Sequence, residues 1–364
     1  MSLTESTNRP AQHERHPRKG FFTDTSICIG CKACEVACKE WNRNPADSTW
    51  RLSESSYDNT GQLGADTWRH VAFIEQDKAK IEAARESGRR LVALGMPTLR
   101  PDDDAARPDT PTGTTPPETP EFRWLMSSDV CKHCTNAGCL DVCPTGALFR
   151  TEFGTVVVQA DVCNGCGTCV AGCPFGVIER RADGIAAPVT DGHRDDGRTQ
   201  LGVVERQHEG LILRVLRELK GDDRSTDFTP GTQAPTPHLG VAQKCTLCYD
   251  RLTDAETPAC AKACPTTSIT FGDHDELAEA ARARVRTLHT QGRTEARLYG
   301  ANPNDGVGGT GSIFLLLDEP EVYGLPPDPR VATADLPRMY ARAGLAALGM
   351  VGAVALAFLT GGRR

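Results

Sequence analysis

Large rings are scarce in this sequence. Aromatic residues make up 5% of its 364 residues, which excludes a core built mainly on stacked Phe, Tyr and Trp and leaves bound metal as one source of cohesion. Charge of one sign is concentrated nowhere: the formal net charge is −7, with acidic and basic residues interspersed. No basic patch with interleaved aromatics occurs, so nucleic acid is not an expected partner. The opening stretch, MSLTESTNRPAQHERHPRKG, has neither an apolar h-region nor a twin-arginine pair. Also missing are a nucleophile–base constellation, a P-loop and a dinucleotide fingerprint. The expectation is therefore a non-catalytic chain. The glycine-rich NDGVGGTGS (304–312) precedes an apparent strand instead of joining a strand to a helix, so it reads as a structural loop.

What the sequence does have is cysteine. Its 16 cysteines fall into four runs of four, with none left over. Run one is Cys28, Cys31, Cys34 and Cys38; run two is Cys131, Cys134, Cys139 and Cys143. Run three is Cys163, Cys166, Cys169 and Cys173; run four is Cys245, Cys248, Cys260 and Cys264. Runs one and three have the spacing C-x2-C-x2-C-x3-C of bacterial ferredoxins. Run two widens its second gap to four residues and run four widens it to eleven. A disulfide framework suits short secreted chains, not one of this length without a secretory signal. Zinc would use two pairs of ligands, whereas here three thiols cluster in one loop with a fourth close behind. That pattern predicts four [4Fe–4S] clusters. Three thiols on a tight loop reach three corners of one cube, and the fourth, expected to begin a helix, is carried away to the other cluster of the pair. Pro144, Pro174 and Pro265 follow three of the fourth cysteines. Gly30, Gly165 and Gly167 let the loops close tightly. Lys32, Lys39, Lys132, Lys244 and Lys262 lie in or beside the runs. They either offset cluster charge or are ordinary solvated lysines, and screening of exposed charge favours the second. His133 sits inside a run that already has four thiols, and reads as packing around the site.

Around the runs the pattern is mixed, which predicts an α+β fold. It consists of two bacterial ferredoxin-like lobes with irregular insertions, plus a C-terminal transmembrane helix. Residues 68–74, 154–158 and 312–317 read as strands. Residues 75–94 form a charged, Ala-rich helix candidate, and 97–120 a loop rich in Pro, Thr and Asp. A short apolar helix candidate lies at 209–219. Leu277, Ala281, Val285 and Leu288 mark one face of an amphipathic helix over 275–292. YGLPPDP (323–329) is expected to end the folded part. Between Arg342 and Arg363 lie twenty uncharged residues, AGLAALGMVGAVALAFLTGG, just enough to cross a bilayer as one helix. This predicts a single membrane anchor at 343–362 in contact with lipid, in which Gly344, Gly349 and Gly352 admit a close neighbour. Arginines flank both ends, so the side of the membrane on which the lobes lie stays open.

The stretches DTSICIGCKACEVACKEWN (24–42), the two middle runs, KCTLCYDRLTDAETPACAKACPTTSITFG (244–272) and LYGANPNDGVGGTGSIFLLLDEPEVYGLPPDP (298–329) resemble the iron–sulfur (beta) subunit of membrane-associated formate dehydrogenases. The cysteine pattern alone is shared with subunits of dimethyl sulfoxide, polysulfide, thiosulfate and nitrate reductases. The resemblance implies a molybdopterin catalytic subunit (molybdenum or tungsten) that oxidises formate, and an electron path through four clusters to a membrane cytochrome b subunit or another acceptor. It implies a lobe from 21–74 and 240–329, with runs one and four, and a second from 121–180, with runs two and three. Outside them it leaves a flexible arm (1–20), a linker or insertion (75–120) and an insertion (181–239). It assigns Cys28, Cys31, Cys34 and Cys264 to one cluster and Cys245, Cys248, Cys260 and Cys38 to its lobe-mate. In the other lobe it assigns Cys131, Cys134, Cys139 and Cys173 to one cluster and Cys163, Cys166, Cys169 and Cys143 to the other. Segments 75–120 and 181–239 are longer than the resemblance accounts for.

Overall fold

The computed structural model describes residues 17–45, 57–58, 60–93, 118–181 and 238–361. Its largest sheet has four strands in the order β8-β1-β10-β9, with β1 Lys19–Asp24, β8 Ile269–Asp273, β9 Arg297–Tyr299 and β10 Ser312–Leu316. β1 and β10 run parallel, with Phe21 opposite Ser312 and Thr23 opposite Phe314; β8 and β9 pair antiparallel on the outside. SIFLL is an unbroken apolar run because every residue of β10 is buried, as expected for a strand covered on both faces. Helix α7, His274–Thr290, buries Leu277, Ala278, Ala281, Val285 and Leu288, a stripe of period 3.6. Arg284 of that helix pairs with Asp24 at 2.8 Å. Side chains alternate along a strand, so Phe22 shares the α7 side with Asp24, while Phe21, Thr23 and Phe314 face the other way, toward the cysteine runs.

Two long strands, β2 Arg69–Asp77 and β3 Phe122–Val130, pair antiparallel from Arg69 opposite Val130 to Asp77 opposite Phe122. Smaller ribbons join β4 Leu148–Arg150 to β5 Val156–Val158, and β6 Glu179–Arg180 to β7 Ala242–Gln243. The helices of the cysteine runs are α1 Ala33–Asn42, α3 Gly138–Asp141, α4 Thr168–Ala171 and α6 Ala259–Lys262, with α5 Tyr249–Thr253 following Cys248. α1 packs on α6, and α3 on α4, so each pair of runs meets helix to helix. Trp41 of α1 donates to Asp250 at 2.7 Å, and Arg251 lies 4.2 Å over its ring, which locks α1 to α5. The glycine-rich loop is the structural brace it was expected to be. Its carbonyls accept from Thr135 and Asn136, and its Gly311 N–H donates to Lys132.

Several expectations are corrected. Lys19 and Gly20 belong to β1, so the ordered fold starts before residue 21. Residues 75–93 are not linker but carry the helix read at 75–94: β2 runs on to Asp77, and helix α2, Lys78–Ala93, buries Ile81, Ala84 and Gly88. Arg181 is buried and bonds Asp66, Asn44 and Ala65, so it is part of the fold rather than an insertion. The fold continues past 329 to the buried Val331. The last helix, α8, spans Leu336–Gly361 and starts ahead of residue 343. Most of 97–120 and the helix candidate at 209–219 lie outside the described residues.

Candidate functional site

In runs two, three and four the third cysteine sits within a one-turn helix and the fourth follows its end; in run one Cys34 and Cys38 both lie in α1. The expectation that the fourth cysteine begins a helix is thus reversed. Three intervening residues make about one helical turn, which sets the third and fourth thiols a turn apart on one side. The proline after the fourth then blocks further helix. The loops before these helices turn through left-handed backbone at Gly30 and Lys32, His133, Gly165 and Gly167, and Leu247 and Cys248. Gly30 is also required by space, because a Cβ there would stand 2.6 Å from the Phe73 ring.

The thiols gather in four groups. Cys28, Cys31, Cys34 and Cys264 line one cavity. Cys131, Cys134, Cys139 and Cys173 line a second. Burial pushes the Cys38 thiol well up, and Cys245, Cys260 and Cys248 add to it. Burial also raises Cys169, to about 11, with Cys163, Cys143 and Cys166 contributing. Cys31 and Cys166 are exposed, whereas Cys38, Cys245, Cys248 and Cys260 are all buried.

The groups also sit next to one another. Cys260 helps raise Cys34, to about 11, after burial. Cys131 is the strongest charge neighbour of Cys245, whose thiol is pushed up first by burial. Cys169 is a charge neighbour of Cys139, which burial raises to about 12.

Does a cubane fit? Among the described residues no three His, Cys, Asp or Glu side chains converge as a single metal ion requires. A lone zinc needs thiolates about 2.3 Å away; these thiols surround a volume instead. The donor set is all sulfur, the ligand type that iron–sulfur clusters take. Donors to sulfur are in place as well. The Leu247 N–H points at Cys245 Sγ at 3.3 Å, and Ser128 Oγ lies 3.2 Å from Cys34 Sγ. Burial opposes ionisation of Cys143, yet backbone N–H groups of Leu148, Thr145 and Ala147 hold its thiol below the usual value.

Two of the five lysines are not solvated. Lys132 and Lys244 are each 1% exposed, which corrects the surface reading for them. Lys132 bonds Asp129 and the Val130 carbonyl and lies 4.9 Å over Phe314. Lys244 bonds the Val156 and Cys245 carbonyls. Lys32 pairs with Glu35 and Asp58 at 3.4 Å, and Lys262 is exposed. His133 lines the second cavity, and its Nδ1 accepts from the Val156 N–H at 3.1 Å. Burial, then Lys244, Arg18 and Arg150, hold it far below the usual histidine range, so it is neutral.

Two further groups had no sequence signal strong enough to single them out. Ser128 is buried beside Cys34, and Arg69 is buried at the head of β2. Burial disfavours the charge on Arg69, but the neighbouring sulfurs of Cys260, Cys34, Cys245 and Cys38 outweigh it and raise its pKa. The only hint was a lone arginine heading an apolar strand.

Comparison with known proteins identifies the domain type and the relatives. Two 4Fe–4S dicluster domain models match, one over residues 27–147 and the other over 122–189 and 196–274. The nitrate-inducible formate dehydrogenase iron–sulfur subunit of Escherichia coli (strain K12) is 31% identical, over 92% of this chain and 81% of its own length. The formate dehydrogenase iron–sulfur subunit of Haemophilus influenzae is 30% identical, over 89% of this chain and 74% of its own. The arsenate respiratory reductase iron–sulfur subunit of Shewanella sp. (strain ANA-3) is 30% identical, over 71% of this chain and 83% of its own. Sixteen thiols in four neighbouring groups, the dicluster matches and an identity that extends across most of both chains lead to one conclusion: this chain belongs to the family of formate dehydrogenase iron–sulfur subunits.

Proposed function

We propose that this chain is the electron-relay subunit of a formate dehydrogenase, holding four [4Fe–4S] clusters in a row between a molybdopterin catalytic subunit and a membrane acceptor. When bound, each cluster accepts and returns one electron. Cys28, Cys31, Cys34 and Cys264 hold the first; Cys38, Cys245, Cys248 and Cys260 the second. Cys131, Cys134, Cys139 and Cys173 hold the third, and Cys143, Cys163, Cys166 and Cys169 the fourth. The observation that supports this is that the thiol groups neighbour one another in succession, through Cys34 with Cys260, Cys245 with Cys131, and Cys139 with Cys169. No group is skipped, and such a succession is what a relay needs.

The ends of the row differ. Near the first group Ile29 and Val36 are exposed apolar side chains, suited to a protein partner. Near the far end, Thr333 donates to Asp141 of α3 at 2.9 Å just before α8 begins. α8 has 26 residues, about 39 Å at 1.5 Å per residue, and its Arg338–Phe358 stretch has a mean hydropathy of 1.7 with its side chains exposed. That length exceeds the roughly 30 Å of hydrocarbon in a bilayer. The helix therefore serves as a membrane anchor rooted in the lobe of the third and fourth clusters, where a cytochrome b subunit would receive the electrons. The arsenate reductase relative favours one alternative, the same relay in another molybdopterin complex.

Anaerobic purification should yield about sixteen iron and sixteen acid-labile sulfide per chain. The subunit that copurifies should reduce the clusters when formate is added. Reduction by a different substrate alone would assign the chain to the alternative complex, and a folded, iron-free chain would rule out both.

A further inference from the structure

We infer that Arg69 is a tuning residue shared by the first and second clusters, holding both at a higher reduction potential than thiolate coordination alone would give. This rests on the ligand sets proposed above. Arg69 is 1% exposed and lies 4.7 Å over the Phe21 ring, on the side of the sheet that faces the cysteine runs. Its Nη1 donates to Ser128 Oγ at 3.0 Å and to the Ser128 carbonyl at 3.3 Å. Ser128 Oγ in turn stands 3.2 Å from Cys34 Sγ, so the guanidinium is one hydroxyl away from a ligand of the first cluster.

Its remaining edge is unused. Arg69 Nε and Nη2 are buried and have no hydrogen-bond partner. A guanidinium stays charged under all ordinary conditions, and buried donors left unpaired are costly. No carboxylate pairs with it among the described residues. The thiols that act on it are Cys34 of the first set and Cys38, Cys245 and Cys260 of the second. The missing counter-charge therefore belongs to the clusters. A fixed cation and N–H···S bonds both stabilise the more negative, reduced form, and both raise the potential. A purely structural role would need only the Phe21 and Ser128 contacts and would leave two N–H groups orphaned.

The test is an EPR-monitored redox titration of the full chain in detergent, with iron and sulfide assayed on each sample and C264S used to identify the first cluster's signal. R69Q is expected to lower both first-lobe potentials, cutting the reduced-to-oxidised ratio at fixed potential about tenfold, or about 59 mV for a one-electron couple. S128A, which severs the link to Cys34 but keeps the guanidinium, is expected to lower the first cluster alone. R69K keeps the charge but loses the fork, so both shifts should be smaller than in R69Q. Fully loaded R69Q and S128A that titrate like the parent would overturn the assignment. Should R69Q fail to load, unchanged titrations in R69K and S128A overturn it equally. A parent chain without clusters would instead refute the cluster proposal itself.

Discussion

Cys264 is the residue on which cross-ligation between distant runs is most directly tested. It lines the cavity of Cys28, Cys31 and Cys34, and none of the other run-four cysteines does. Cys38, conversely, is raised by burial and by Cys245, Cys260 and Cys248. Iron counts on double variants separate the alternatives, because two changes in one ligand set remove one cluster and two changes in different sets remove two. C264S/C31S should therefore retain about twelve iron per chain and C264S/C248S about eight. The single variants C264S, C31S and C248S should each retain about twelve, and the non-additivity of the first pair is the signature of a shared site. Iron and sulfide assays on anaerobically purified protein, checked by circular dichroism for folding, give the answer. The opposite ordering, eight for C264S/C31S and twelve for C264S/C248S, would mean that each run binds its own cluster.

The core and the ligands make further predictions. Ile313, fully buried in β10, should cost about 2–5 kcal/mol when changed to Ala, measured by denaturant unfolding; a cost below half of one would contradict the two-sided burial of that strand. Glu295 is buried and pairs with Arg123 at 2.8 Å, so E295A should cost about 3–5 kcal/mol by stranding that arginine, again read from unfolding curves. Leu348→Arg places a charge midway along α8 at about 2.5–3.5 kcal/mol; carbonate extraction should then release the chain from membranes, and unchanged retention would argue against a spanning helix. The thiols of Cys34, Cys139, Cys169 and Cys248 are raised to about 11 to 12 by burial and so resist ionisation. Ligation takes the thiolate and releases a proton, so cluster insertion should become more favourable as pH rises, and a flat pH profile in anaerobic reconstitution would refute this.

Much of the architecture was legible before the structure. Spacing marked all sixteen thiols, the apolar run SIFLL announced the strand β10, and Leu277, Ala281, Val285 and Leu288 announced α7. Strand β3 was not legible. Its buried Ser127 and Ser128 look like surface residues in sequence, but Ser128 is buried against a thiol, so the alternation that signals a strand is hidden. Lys132 and Lys244 misled, and Arg69 was missed, for a related reason. Charged residues belong at the surface unless paired, and the pairing here is with carbonyls, aromatic faces and thiols brought in from distant runs. Sequence shows those neighbours only after the fold is known.

The parallel pairing of β1 with β10 carries a consequence for biosynthesis. Phe21 finds its partner Ser312 only after about 290 further residues have left the ribosome, roughly 15–60 s at ordinary translation rates. The thiols of α1 wait out that interval unprotected and open to oxidation, while the lobe of runs two and three, contiguous in the chain, is free to mature first. Assembly of that contiguous lobe does not have to wait for β10, and the nascent N-terminal segment is where a maturation chaperone would have the most to guard.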